Sequence, residues 1–227
     1  MSLIVLNKVN LAPYTSWWVG GDAEFFCKPK TIDDLKEALI HAKQNKLPIT
    51  ILGGGSNVLI SDDGVPGLTI CLRQLSQISS KIENGKLFIE ALSGTGKNQL
   101  LKVFLKNKLA PALFLAGLPG DIGGGVVMNA GVSEAFSPRE FMEFVDEIQV
   151  MDFDGNVKTL DKKVLKIYYR HTEGWRPGII TAVKISWPMD IDEMILQKVK
   201  DANLSRRTKQ PLDMGSCGSV FKNPPEH

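Results

Sequence analysis

Three consecutive glycines, Gly53-Gly54-Gly55, stand between two short apolar runs, residues 48–52 and 58–60. A helix or strand does not run easily through such a triplet, because each interior glycine costs about 0.5–1 kcal/mol relative to alanine. The spacing therefore predicts a strand, a loop and a second strand leaving it. Without Cβ atoms the loop lets backbone N–H groups converge, and the resulting nest suits a phosphate or diphosphate. Ser56 and Asn57 add a hydroxyl and an amide able to reach the same anion. A tight turn between strands would use the same residues, and the triplet alone does not separate the two readings. A second cluster favours the nest: Gly117-Leu118-Pro119-Gly120-Asp121-Ile122-Gly123-Gly124-Gly125. Two such loops in one chain suit a long, bent, anionic ligand.

Composition narrows the partners. The 227 residues, 43% apolar and 23% charged, are enough for one large domain or two small ones. A net charge of +2 is too balanced to argue for nucleic acid or an anionic membrane. Cys27, Cys71 and Cys217 are odd in number and scattered. They give neither a disulfide framework nor a zinc spacing, and they point to a reducing compartment. His41, His171 and His227 show no metal-ligand spacing, so no metal is expected. No apolar run reaches the roughly 18 residues of a membrane span, and the N-terminus has no signal-peptide pattern. The expectation is a cytoplasmic monomer.

Along the chain, residues 23–27 read as a strand. Thr31 reads as a helix N-cap with Asp34 at the capping-box position, and Ile32, Leu35, Ala38, Leu39 and Ala42 follow at helical spacing. Residues 67–72 read as a further strand, and Asn84-Gly85 as the turn of a hairpin. Gly94-Thr95-Gly96 opens a helix with Leu100, Leu101, Phe104 and Leu105 on one face. Residues 126–131 read as a short buried helix, residues 144–153, 157–160 and 179–187 as strands, and residues 192–207 as a last helix. The predicted class is α+β in two subdomains, residues 1–72 and 73–208, with glycine loops from both facing one cleft.

Two common nucleotide motifs fail. The nearest Walker A candidate, residues 91–98, has Ala91 where the first glycine belongs and Asn98 where the magnesium-binding hydroxyl belongs. A Rossmann fingerprint needs its glycines to open a helix, whereas the Gly53 loop is expected to open into a strand, and residues 120–125 have the wrong spacing.

The segments G-G-G-S-N-V-L-I (residues 53–60) and G-L-P-G-D-I-G-G-G-V-V-M-N-A-G (residues 117–131) closely resemble the two FAD-binding loops of the UDP-N-acetylenolpyruvoylglucosamine reductase (MurB) family. That family shares the vanillyl-alcohol-oxidase type of flavoprotein fold. Four more stretches resemble family motifs in the same order: Thr15 with Val19-Gly20-Gly21; Tyr168-Tyr169-Arg170; Arg206 with Lys209-Gln210-Pro211; and Gly218-Ser219-Val220-Phe221-Lys222-Asn223-Pro224. The resemblance implies FAD held by Gly53, Gly54, Gly55, Ser56, Asn57, Gly117, Pro119, Gly120, Ile122, Gly123, Gly124, Asn129, Ile179 and Arg206. The glycine loops contain no His or Cys to tether the flavin, so FAD is expected to be non-covalent. Asp121 and Val127 depart from the family, which favours a small polar residue and often Tyr at these places; Val132 and His171-Thr172-Glu173 depart as well. The family continues beyond the G-S-x-F motif into a domain carrying a catalytic Glu. This sequence stops at His227, so residues 209–227 are expected to be only the start of a substrate domain.

The implied reaction uses NADPH to reduce FAD and the flavin to reduce the vinyl ether of a UDP-linked enolpyruvyl sugar, giving UDP-N-acetylmuramate for peptidoglycan. Hydride addition puts negative charge on the neighbouring carbon and its carboxylate. Such a site needs a cation beside the carboxylate and a proton donor over the carbon. Arg170 fits the first role by charge and fork geometry, and Ser219 the second. Tyr169, Lys209 and Asn223 are candidate substrate contacts, with Lys209 placed on the diphosphate. Each also has a plainer reading: a strand-edge Arg, a turn Ser, and solvated charge favouring a helix C-terminus. Two rival functions keep the fold, a flavin-binding module without catalysis and a flavin oxidase. Arg170 with Ser219 favours the reductase, because alcohol oxidation would call for a base.

Overall fold

The computed structural model describes residues 3–132, 138–209, 214–216, 218 and 220–221. Strands β1 (Val5–Asn10) and β2 (Asp22–Cys27) pair antiparallel, Val5 opposite Cys27. Helix α1 (Ile32–Gln44) starts as expected, with a complete capping box. Thr31 Oγ1 accepts from the Asp34 amide at 3.0 Å, and the Asp34 carboxylate accepts from the Thr31 amide at 3.1 Å. Leu35, Ala38, Leu39 and Ala42 turn inward from it. Strand β3 (Ile49–Leu52) leads into the first glycine loop, and β4 (Val65–Cys71) inserts between β2 and β3 with parallel register to both, giving the order β1-β2-β4-β3.

That register explains one correction. The apolar residues 58–60 were expected to leave the glycine loop as a strand, but they form none. β3 and β4 are parallel neighbours, so residues 53–64 must carry the chain back along the sheet before it can pair again. Val58 and Ile60 pack against a small core of Leu11, Ala23, Phe26, Leu52 and Cys71, while Leu59 is 70% exposed.

After a 3-10 turn at Leu72–Gln74 the chain enters a second sheet. Strands β5 (Ile78–Glu83) and β6 (Lys86–Leu92) make the anticipated hairpin, with Asn84 and Gly85 both at positive φ, +49° and +72°. Helices α2 (Lys97–Lys106), α3 (Pro111–Ala116) and α4 (Ile122–Val127) follow. Strands β7 (Val145–Met151) and β8 (Val157–Asp161) make a second hairpin, β9 (Lys166–Tyr168) and β10 (His171–Glu173) a small third one. Strand β11 (Ile179–Pro188) then slots between β6 and β7, completing the antiparallel order β5-β6-β11-β7-β8. Helix α5 (Ile195–Lys209) closes the described fold and starts three residues later than residue 192, where it was expected.

The helices cover one face of the second sheet. Phe144 sits at the centre of that core, its ring centroid 4.8 Å from Phe141, 5.7 Å from Phe114 and 5.9 Å from Phe104. A further core joins the halves, where Leu35 and Leu39 of α1 and Leu68 and Ile70 of β4 pack with Met151 and Ile179 of the second sheet. Helix α4 corrects another expectation: it lies inside the glycine cluster and ends at Val127, and residues 128–131 are not helical. Ile122 and Val126, one turn apart, are fully buried, and the glycines between them permit close packing. A Cβ on Gly123 or Gly125 would come 2.8 Å from Ser93 or Phe141 respectively. The short α3, opened by Pro111, and the β9–β10 hairpin were not anticipated. Among the described residues no helix is long and apolar enough to cross a membrane.

Candidate active site

The two glycine loops meet. A Cβ on Gly54 would stand 2.7 Å from Gly120 Cα and 3.3 Å from the Asp121 nitrogen. A Cβ on Gly120, itself at φ +86°, would stand 2.7 Å from Ser56 Oγ. Asn57 Nδ2 reaches across to Met128 Sδ at 3.4 Å. The early Thr15 segment braces the first loop from behind. Thr15 Oγ1 donates to Val19 O at 3.0 Å, the Ser16 amide donates to Gly55 O at 3.0 Å, and a Cβ on Gly55 would collide with the Tyr14 carbonyl. Among the described residues, the N–H groups of Gly54, Gly55, Ser56, Asn57, Gly120, Asp121 and Gly124 make no backbone hydrogen bond outside the regular elements. Those of Ile122 and Gly123 differ, donating to Thr95 O at 2.9 Å and Ser93 O at 2.8 Å. Gly124 is exposed and faces open space.

Behind the loops lies a charge cluster that the sequence reading did not assign. Arg73 Nη2 donates to Gly54 O at 2.9 Å, and Lys97 Nζ donates to Pro119 O at 2.8 Å. Lys97 is only 5% exposed, and burial pushes its ammonium down to about 8 against the opposing pull of Asp121. Asp121, 8% exposed, is pushed up by burial to about 6, with Arg73 and Lys97 pulling the other way. Among the described residues its Oδ2 finds no hydrogen-bond partner, and neither does Ser93 Oγ beneath α4. Leaving a buried polar atom unmatched costs about 1–3 kcal/mol. The only local signal for Lys97 was its place in the rejected Walker window.

Residues 128–131 carry the site from the loops to Arg170. Arg170 occupies the turn between β9 and β10 at φ +56°. Its Cζ lies 4.5 Å from the Tyr169 ring centre, and its Nη1 lies 3.6 Å from Glu140 Oε1. A Cβ on Gly131 would collide with Arg170 Nη1. Glu140, unflagged in the sequence for want of any motif, accepts from Asn129 Nδ2 through its other oxygen at 2.6 Å.

Not every expected ligand residue lines this surface. Asn129 is fully buried, and its amide is committed to Glu140, to Tyr168 O at 3.0 Å and to the Met142 amide at 3.1 Å. Its side chain braces the loop against the Arg170 hairpin. The Ile179 side chain belongs to the core joining the two sheets. Arg206 of α5 reaches the second loop and donates to Gly117 O at 2.8 Å. Ser219, Asn223 and the side chain of Lys209 lie outside the described residues.

This architecture, two sheets pinching two glycine loops, is that of an FAD-binding domain. The chain matches the FAD binding domain family over residues 23–161. The Moorella thermoacetica UDP-N-acetylenolpyruvoylglucosamine reductase is 37% identical to it over 227 residues, covering 99% of this chain and 72% of the relative. The enzyme of that name from a Synechococcus strain is 34% identical over 97% of this chain and 71% of its own length. The crystal structure of the Thermus caldophilus enzyme superposes with a TM-score of 0.74 at 28% identity, over 99% of this chain and 76% of that one. Cholesterol oxidase from Brevibacterium sterolicum shares the fold alone, at 13% identity and TM-score 0.61 over 82% of this chain and 38% of the oxidase. The chain belongs to the UDP-N-acetylenolpyruvoylglucosamine reductase family, and it is an FAD-dependent oxidoreductase. The residues present fit the cofactor. Loop amides without backbone partners and glycines that a Cβ would crowd together suit its diphosphate.

Proposed function

We propose that the protein reduces UDP-N-acetylglucosamine enolpyruvate to UDP-N-acetylmuramate with NADPH, a step of peptidoglycan synthesis in the cytoplasm. Bound FAD would take reducing equivalents from NADPH and deliver them to the vinyl carbon of the sugar. The observation that carries the reading is the Arg170 guanidinium, held between the Tyr169 ring, Glu140 and Gly131 beside the glycine loops. A fixed, always-charged fork matches the substrate carboxylate, where negative charge grows as the double bond is reduced. Glu140 pairs with one end of the fork, Nη1 to Oε1 at 3.6 Å. Tyr169, half exposed, lies beside the same group. Ser219 is assigned the proton delivered to the carbanion carbon; Lys209 and Asn223 are assigned to the substrate, Lys209 on its diphosphate. Arg206, tied to Gly117, is assigned to the flavin side.

Anaerobic stopped-flow measurement tests this. NADPH should bleach the flavin, and the enolpyruvyl sugar should restore the colour much faster than oxygen does. Ser219→Ala should leave bleaching intact and slow the recolouring by about 10²–10⁴-fold, the usual contribution of a general acid. Recolouring faster with oxygen than with the sugar would identify an oxidase and reject the proposal.

A further inference from the structure

We propose that Asp121 is a positioning residue whose carboxyl takes up a proton when FAD binds, with Arg73 and Lys97 holding the two glycine loops around it. The inference rests on the flavin assignment and is independent of the identity of the sugar substrate.

The geometry is specific. The Asp121 carboxyl lies between the loops, Oδ2 at 3.4 Å from where a Gly53 Cβ would be and Oδ1 at 3.3 Å from where a Gly54 Cβ would be. Oδ2 is buried and unmatched among the described residues. The cations flanking it are engaged elsewhere: Arg73 on the Gly54 carbonyl and Lys97 on the Pro119 carbonyl. Among the described residues no salt bridge within 4.0 Å joins Asp121 to either. By drawing loop carbonyls toward themselves, Arg73 and Lys97 leave the loop amides free for an anion. Among the described residues the other titratable neighbour is Cys71 at the end of β4, whose thiol burial pushes up, keeping it neutral.

The electrostatics then set the direction. In the flavin-free protein the carboxyl titrates near 6, so at pH 7 it is mostly ionised. A diphosphate placed in the loops is a like charge, and a like charge favours the neutral acid. Protonated, the carboxyl could also donate a hydrogen bond, which the carboxylate cannot. Lys97, near 8, is already mostly charged at pH 7 and has little proton left to gain.

Flavin-free protein titrated calorimetrically with FAD at pH 7, in buffers of different ionisation heat, should show uptake approaching one proton per FAD. The wild-type Kd should rise by up to tenfold per pH unit above 6. Asp121→Asn, which mimics the neutral acid, should abolish the uptake and flatten the profile, so that it binds FAD more tightly than wild type at pH 8. Infrared difference spectra of the wild type alone should show a protonated-carboxyl band on binding, whatever the variant's fold. No uptake at pH 7, or uptake that persists in Asp121→Asn, overturns the proposal. Failure to bind FAD at any pH would instead overturn the flavin assignment.

Discussion

Replacing Gly54 by alanine tests the cradle most directly. The new Cβ would stand 2.7 Å from Gly120 Cα, a backbone atom with no rotamer to yield. Carbon atoms rest at about 3.5–4.0 Å, so the loops must part by roughly 1 Å. Opening them strains two anchors, Arg73 Nη2 on Gly54 O at 2.9 Å and the Lys97 amide on Gly120 O at 3.0 Å. Overpacking of this kind costs about 1–3 kcal/mol. If the loops must close on the diphosphate, that strain appears in binding as a loss of about 5- to 150-fold at about 1.4 kcal/mol per decade. The assay is quenching of flavin fluorescence as flavin-free protein is titrated with FAD, with thermal unfolding of the free protein as the check on folding. An affinity within twofold of the parent would refute the argument that contact between the loops sets the diphosphate site.

Gly124→Ala provides the contrast: its Cβ meets nothing within 4 Å among the described residues, so flavin-free protein should gain about 0.5–1 kcal/mol from the helix preference, read as a raised Tm. FAD binding should nonetheless weaken in this variant if that open face receives the cofactor. Gly131→Ala should push the Arg170 guanidinium from its place against Glu140, slowing recolouring by the enolpyruvyl sugar while bleaching by NADPH stays near wild type. Thr31→Ala removes the capping hydroxyl of α1 and should destabilise the protein by about 0.5–2 kcal/mol in denaturant unfolding, with flavin affinity unchanged. Asp121 titrates near 6 in the fold against 3.8 unfolded, so the folded state binds more protons in that window. Stability of flavin-free protein should therefore fall as pH rises from about 4 to 6, and Asp121→Asn should flatten that slope in thermal unfolding.

Much of this was legible in the sequence because it rests on local rules. The Thr31–Asp34 capping box, the Asn84-Gly85 turn and the two glycine loops all announce themselves within a few residues. What was missed depends on distant pairing. That residues 58–60 form no strand follows from β3 and β4 being parallel, which no local pattern encodes. Helix α4 was placed too late because its glycines, read as loop, serve instead to bring a helix against Ser93 and Phe141. The amide of Asn129 looked available to a ligand; only the fold reveals Glu140, Tyr168 and Met142 converging on it. Lys97 and Arg73 escaped notice because a cation earns significance there from burial beneath loops drawn from elsewhere in the chain.

The position of β11 has a consequence for the order in which a growing chain can fold. The first sheet is complete in sequence by residue 71, from mostly neighbouring segments joined by α1. The second has its middle strand last: until residue 188 has been made, the hairpins β5–β6 and β7–β8 have no partner to join them. Such non-local closure is slow relative to helix and hairpin formation. During synthesis the Gly53 loop is therefore present long before the sheet supporting the opposite loop, and two hairpins wait with open edges. The two glycine loops can therefore face each other on a finished scaffold only once β11 has joined the two hairpins.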